Sequence, residues 1–292
     1  MTSISNPTTR SKERTWLAVY ARSLVPAVLF LLVAGAMVTS TGSGLAVPDW
    51  PLSFGKLMPP MQGGVFYEHG HRMVATTIGL LTIILAAWTS RVEPRSWVRR
   101  LTWSALGLVI LQGVVGGLTV LLRLPVWTSA LHACLAQGFF LVIVFLALAH
   151  SPSWDKRGLD LEPRSRLPRL ALFTTVAIYA QLVLGAVMRH MNAALAIPDF
   201  PTVFGGVFPH AWTPEIAIHF AHRVGALIVV VQVLLGASII WTGRQVAVAT
   251  LHVVVGAVLL AFSMVLTVKS HRGLPERRET ASTFYAPGEV PA

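Results

Sequence analysis

Val47-Pro48-Asp49-Trp50-Pro51-Leu52-Ser53-Phe54-Gly55 and Ile197-Pro198-Asp199-Phe200-Pro201-Thr202-Val203-Phe204-Gly205 are two copies of one stretch, offset by 150 positions. Each follows the same kind of helix end at the same distance, Gly35-Ala36-Met37-Val38 in the first copy and Gly185-Ala186-Val187-Met188 in the second. Downstream, His71-Arg72 answers His222-Arg223, and Ala130-Leu131-His132 answers Thr250-Leu251-His252. A duplication on this scale points to two pseudo-symmetric halves with sites inside or between them. Residues 1–165 form an N-terminal four-helix half, and residues 166–292 form a C-terminal half that is shorter.

The segments between these motifs decide the class. Apolar runs cover about 16–39, 69–90, 101–122, 128–149, 169–188, 217–242 and 246–268, each close to the roughly 20 residues that cross a bilayer core. The composition agrees: 54% hydrophobic and 12% charged residues, with a mean hydropathy of +0.66. The expected fold is therefore all-α, a polytopic transmembrane bundle with seven spans read from the sequence. Trp50, Trp88, Trp103, Trp127, Trp212 and Trp241 lie near run ends, as interfacial anchors do.

The net charge of +11 resides in short stretches such as Arg91 to Arg100 and Lys156 to Arg169. Loops of this kind face the cytoplasm under the positive-inside rule. No basic face interleaves with stacking aromatics, which argues against a nucleic-acid partner. The N-terminus is then cytoplasmic, and the loops 40–67 and 190–215 face outward. The first run follows Arg10, Lys12 and Arg14, a pattern shared with signal peptides; its repeat partner inside the chain favours a retained helix. The one cysteine, Cys134, reads as a small core residue.

Ionisable groups inside membrane helices are costly and mark function. His71, His132, His222 and His252 occupy matched positions in apolar runs. Imidazoles on two facing helices can grip a haem iron from both sides. A single membrane histidine is as well explained by an interhelical hydrogen bond, whereas copper or zinc would want three or four clustered donors. Glu68, three residues before His71, shares its helix face and could handle a proton or simply pair with Arg72. Its counterpart in the second half is His219, so one half carries an acid that the other lacks. Arg72 and Arg223 suit either a haem propionate or a snorkelling role at a helix end. Gln112, Gly113, Gly116 and Gly117 make a small-residue face for close packing or haem approach. Asp49 and Asp199 are accounted for by turn chemistry, and His150, His190, His210 and His271 read as interfacial.

Glu68-x-x-His71-Arg72, Leu131-His132, His222-Arg223, Leu251-His252 and the two Pro-Asp-aromatic-Pro loops resemble the haem A synthase family over about residues 20–270. The resemblance implies oxidation of a ring methyl of haem O to a formyl group, yielding haem A for terminal oxidases. It places haem O in the first half on His71 and His132 with Arg72 beside them, and Glu68 in catalysis. It places a haem b cofactor in the second half on His222 and His252, with Arg223. It further implies a multi-pass protein of the plasma (inner) membrane, with haem O synthase and terminal oxidase subunits as partners. The family carries eight helices, and many members have a cysteine pair in the first outer loop that residues 40–67 lack. Rival readings are a bis-histidine b-type cytochrome and a non-catalytic haem-binding assembly protein.

The second half poses a geometric question. Thirty positions separate His222 from His252, against 61 between His71 and His132, and Gln232 to Ala237 resembles the third helix of a half. If 217–242 crosses once, a rise of about 1.5 Å per residue puts the two histidines more than about 20 Å apart in depth. The tail residues Lys269, Arg272, Arg277 and Arg278 would then face outward. A re-entrant hairpin would instead return His252 to the outer side.

Overall fold

The computed structural model describes residues 7–155, 158–162, 165–226 and 245–273. Its helices are α1 (Pro7–Ser40), α2 (Gly64–Val92), α3 (Ser96–Leu121), α4 (Val126–Ala149), α5 (Leu167–His190), α6 (Pro214–Ala226) and α7 (Val246–Gly273). Among the described residues, six helices, all but α6, are long and apolar enough to cross a membrane. They match six of the seven runs; the remaining run, 217–242, is seen as far as Ala226, and Gln232 to Ala237 lies outside the described residues. The chain is a polytopic helical membrane bundle. Side chains as apolar as Phe173 and Phe262 are 64% and 70% exposed on its outer surface, an arrangement that lipid tails accommodate and water does not.

Helices α1 to α4 close into one bundle, with α1 against α2 and α4, and α3 against the same two. Helix α5 packs on α6 and α7, and the two groups meet where α1 and α4 touch α7 and α4 touches α5. Leu17, Leu24, Leu85, Val98, Phe139, Ile143 and Leu146 fill the inner part of the first bundle. The repeated loops sit at the opposite end of the same bundle, the outer end in the orientation expected from the charge pattern. At the inner end Glu93 is a buried fastener: it accepts from the Arg95 side chain at 2.7 and 2.9 Å, and Arg95 also donates to the Ala149 carbonyl. That ties the end of α2 to the end of α4.

The direction of α7 settles the question left by the spacing. Near its start, Thr250 meets Ser40 and Met37 at the outer end of α1. Near its end, the Lys269 carbonyl accepts from Leu159 N–H, and Arg272 donates to the Trp154 carbonyl and lies 3.8 Å above that ring. Helix α7 therefore runs from the outer side inward. Helix α6 does too, since its Gly225 lies against Gln181 in the middle of α5. Of the two alternatives left open by the spacing, the placement of His252 beside His222 and of Thr250 beside the end of α1 agrees with the hairpin rather than the single span. Lys269 and Arg272 lie on the side of the other basic loops, while Arg277 and Arg278 fall outside the described residues.

Candidate functional site

Both outer loops fold alike because the same residues make the same bonds. Asp49 accepts from Phe54 N–H at 2.7 Å and Gly55 N–H at 2.9 Å; Asp199 accepts from Phe204 N–H at 2.8 Å and Gly205 N–H at 3.0 Å. Those turns place Phe54 and Phe204 at φ of 53° and 52°, followed by Gly55 and Gly205 at 67° and 77°. Left-handed backbone at the second position is what glycine supplies without a steric cost. The backbone N–H of Gly55, then that of Phe54, holds the Asp49 carboxyl below the usual range despite some desolvation. Gly205 N–H and the Thr202 hydroxyl do the same for Asp199.

Each loop is clasped by the arginine that follows the first histidine of its half. Arg72 donates to the carbonyls of Asp49 at 2.7 Å, Leu52 at 3.0 Å and Val47 at 3.0 Å, and pairs with Glu68 at 2.7 Å. The second Glu68 oxygen accepts from Val47 N–H at 2.7 Å. In the second half Arg223 donates to Thr202 and Ile197 carbonyls and to His219, and His219 faces Ile197 N–H. Glu68 and His219 thus fasten their loops in the same way with different chemistry. The sequence offered Arg72 and Arg223 to a propionate; the structure commits their guanidinium groups to loop carbonyls, so they shape the site by holding its lid. Glu68 is buried yet lines the central cavity.

The four histidines converge as their repeat positions suggest. His71 follows the first residue of its helix by seven positions, His132 by six, His222 by eight and His252 by six. At about 1.5 Å per residue all four lie roughly 10 Å in from the outer helix ends. The rings of His71 and His132 are 6.5 Å apart between centroids, and those of His222 and His252 are 6.3 Å apart. Glycines make the room. A Cβ at Gly35 would come within 3.0 Å of the His71 ring, one at Gly116 within 2.8 Å of His132, and one at Gly185 within 2.9 Å of His222. The glycines near Gly116 play different parts, since a Cβ at Gly117 would strike Trp50 at 2.5 Å and one at Gly113 meets nothing. Gln112 donates to the His132 carbonyl at 2.8 Å, steadying α4 against α3.

All four histidines line one cavity of about 1260 Å³ between the two groups of helices. That exceeds the roughly 300–1,000 Å³ of a single small-molecule site. Cys134 and His190 also line it. Among the described residues no cluster of three or more His, Cys, Asp or Glu stands in metal-ligand spacing; the donors come as pairs.

Residues 61–266 match the sequence profile of the cytochrome oxidase assembly protein family. The chain belongs to that family. Heme A synthase of Symbiobacterium thermophilum is 33% identical over 241 residues, covering 78% of this chain and 76% of the relative. Heme A synthase of Alkalihalophilus pseudofirmus is 28% identical over 263 residues, 86% and 88% of the two chains. The Shouchella clausii heme A synthase is 31% identical over 220 residues, 74% and 72%. The matched region includes both histidine pairs and Glu68, in line with the resemblance read from the motifs.

The donor set of this family member fits a group gripped from both faces. Two imidazoles on opposite sides of one metal ion, each nitrogen about 2.0 Å from it, have centroids roughly 6 Å apart, the spacing that both pairs show. The competing explanation, an interhelical hydrogen bond, finds support at His222, whose Nδ1 lies 3.0 Å from the Gln181 amide. Nδ1 of His71, His132 and His252 is buried without a hydrogen-bond partner. One buried histidine does not stand out in the sequence. His69 Nδ1 lies 2.8 Å from the Ser53 hydroxyl, and its Nε2 is buried and unpartnered. Phe220 and Val203 hold the corresponding places in the second half, so this pair has no repeat partner to mark it.

Proposed function

We propose that the protein is a haem A synthase-like oxidoreductase of the plasma membrane, with a cytoplasmic N-terminus, that converts haem O to haem A for terminal oxidases. One observation carries the reading: two histidine pairs at coordinating separation face a single cavity, and an acid stands beside only one of them. The relatives' name, heme A synthase, supports the same product. In this reading residues 1–165 take haem O between His71 and His132, and residues 166–292 hold haem b between His222 and His252.

When bound, haem b supplies a one-electron iron centre beside the substrate. The protein's part is placement. Gly35 and Gly116 let α1 and α3 approach the two rings of the first pair, which fixes where the substrate lies. The clasped loop 47–56 closes the outer end of the cavity, with Trp50 packed on Gly117. Arg72 holds Glu68 at the cavity wall, where its carboxylate can take a proton released at the ring edge. The product is the formyl form of the same ring, so the reaction is an oxidation at a C–H carbon: overall one water supplies the oxygen, and four protons and four electrons leave, the electrons going to an external one-electron acceptor.

A second reading is favoured by one detail. Both Glu68 oxygens are occupied by the loop clasp, as His219 is in the half assigned to the cofactor, which is what a bis-histidine cytochrome devoted to electron transfer would show. The experiment that separates them is co-expression with a haem O source, purification and extraction of the haems. Haem A from the native chain, with haem retained but no haem A from Glu68→Gln, supports the synthase. Haem b alone from the native chain supports the cytochrome. A preparation without haem defeats both.

A further inference from the structure

Helices α2 and α3 are tied at their inner ends, where the Trp103 indole N–H donates to the Ser90 hydroxyl at 3.0 Å. Seven residues outward from this bond on each helix stand Ile83 and Ile110; four further on stand Gly79 and Val114, with Gly113 beside it. At about 1.5 Å per residue on both helices, the members of each pair lie at one depth. Among the described residues nothing comes within 4 Å of where a Cβ at Gly79 or Gly113 would stand. The two helices have therefore parted at this level, and the space in front of each glycine is open.

The facing edges of α2 and α3 border this space. Ile78 and Leu85 on α2, and Val98 and Ala105 on α3, turn instead to the buried core, while Leu80 and Leu111 are exposed on the outside. Gly79, Ile83, Ile110, Gly113 and Val114 line the central cavity, yet Ile83, Ile110 and Val114 are also exposed. The cavity wall thus runs out into the lipid-facing surface between the two helices. Trp50 sits on Gly117, one helical turn outward of Gly113, and so roofs the slot, with Ile83 and Ile110 as its floor.

We propose that this slot is a lateral portal through which the ring held by His71 and His132 passes between its site and the bilayer. The inference rests on the haem reading above and deepens it by giving the substrate a route. The clasped loop 47–56 closes the outer end of the same site, so a sideways path is the one left open by the fold. The slot's edges carry no charged side chain, and the hydroxyl of Thr76, which also lines the cavity, is spent on the Arg72 carbonyl at 2.9 Å. Such a passage admits a largely apolar ligand already dissolved in lipid and penalises one that must keep its water. A cleft between two helices is elongated along them, the shape through which a flat ring passes edge-on. Gly35 and Gly116 make room for imidazoles, whereas Gly79 and Gly113 keep the doorway clear.

The test follows the full-length chain in phosphatidylcholine vesicles, in a His252→Ala background that confines haem to the first pair. Haem O dissolved in the same bilayer is the probe, and the Soret band reports its uptake and its release to empty acceptor vesicles. Gly79→Phe and Gly113→Phe should fill the slot and slow uptake and release severalfold together, with the final haem content near that of the parent. Gly107→Phe, on the lipid side of α3, should change neither rate. Native rates in both slot variants overturn the inference, as does an equal slowing by Gly107→Phe. A lower haem content with faster release also overturns it, because that puts the glycines in the wall of the binding site rather than in a passage to it. Should a phenylalanine variant fail to fold, Val114→Trp, at an exposed position on the same edge, reads the same two rates. A parent that takes up no haem O overturns the functional reading and this inference together, whereas unresponsive slot variants in a haem-loaded parent overturn the inference alone.

Discussion

The site depends on glycines whose missing methyl groups are filled by imidazole. Gly116→Ala would force its Cβ to within 2.8 Å of His132, so the ring must move and the first pair opens. Gly107, on the same helix, has nothing within 4 Å of its Cβ position. Alanine at 107 should be neutral or stabilise by up to about 1 kcal/mol, the usual helix preference, while Gly116→Ala should lower haem content at the first site severalfold. Pyridine haemochrome spectra of the two variants check this; equal haem in both would defeat it. Glu68→Ala removes the acceptor of two buried donors, Arg72 and Val47 N–H, and should cost about 3 kcal/mol, seen as a lower melting temperature in detergent. Glu68→Gln keeps one acceptor and should cost less. At this scale the four paired histidines and Glu68 were legible because ionisable groups stand out in apolar runs and recur. The use of Arg72 and Arg223 was not, since nothing in a helical motif shows that a loop some 20 residues upstream folds back onto it.

The outer loops are the elements whose behaviour is set most locally. Their Asp49 and Asp199 carboxyls titrate below the ordinary aspartate value of about 3.9, chiefly through backbone N–H bonds that only the folded turn provides. A depressed folded-state pKa contributes stability above the unfolded-state value, and that contribution is lost as pH falls through the folded-state value. The loops should therefore stay resistant to proteolysis at pH 4 and loosen only in stronger acid. Asp199→Asn should open the second loop at neutral pH while sparing the first. Pepsin or thermolysin digestion followed by mass spectrometry reads the difference, and equal susceptibility of native and variant loops would count against the clasp. The repeat made these loops recognisable as a matched pair of turns. That they cap the cavity could not be read, because capping depends on Trp50 meeting Gly117 from a different helix.

For the whole molecule, the spacing of His222 and His252 misleads a calculation that treats 217–242 as one continuous span. Contacts at the two ends of α7 give its direction instead, and they make a topological prediction. In a Cys134→Ser background, single cysteines at Arg99 and Lys269 should be labelled by an impermeant reagent from one side of the membrane, and cysteines at Lys56 and Phe208 from the other. Labelling of Lys269→Cys together with Lys56→Cys from the same side would refute this arrangement of α7. The class of fold was readable from hydropathy and charge because lipid imposes both. That the two histidine pairs line one cavity was not, since it arises where α1 and α4 meet α5 and α7. Because both pairs open on one chamber, any water inside it would be common to both. Whatever fills one end also decides how dry the other becomes, and Coulomb interactions strengthen as water leaves. In the proposed reading, a haem held by His222 and His252 would therefore strengthen charge interactions around His71 and His132 by drying the space they share.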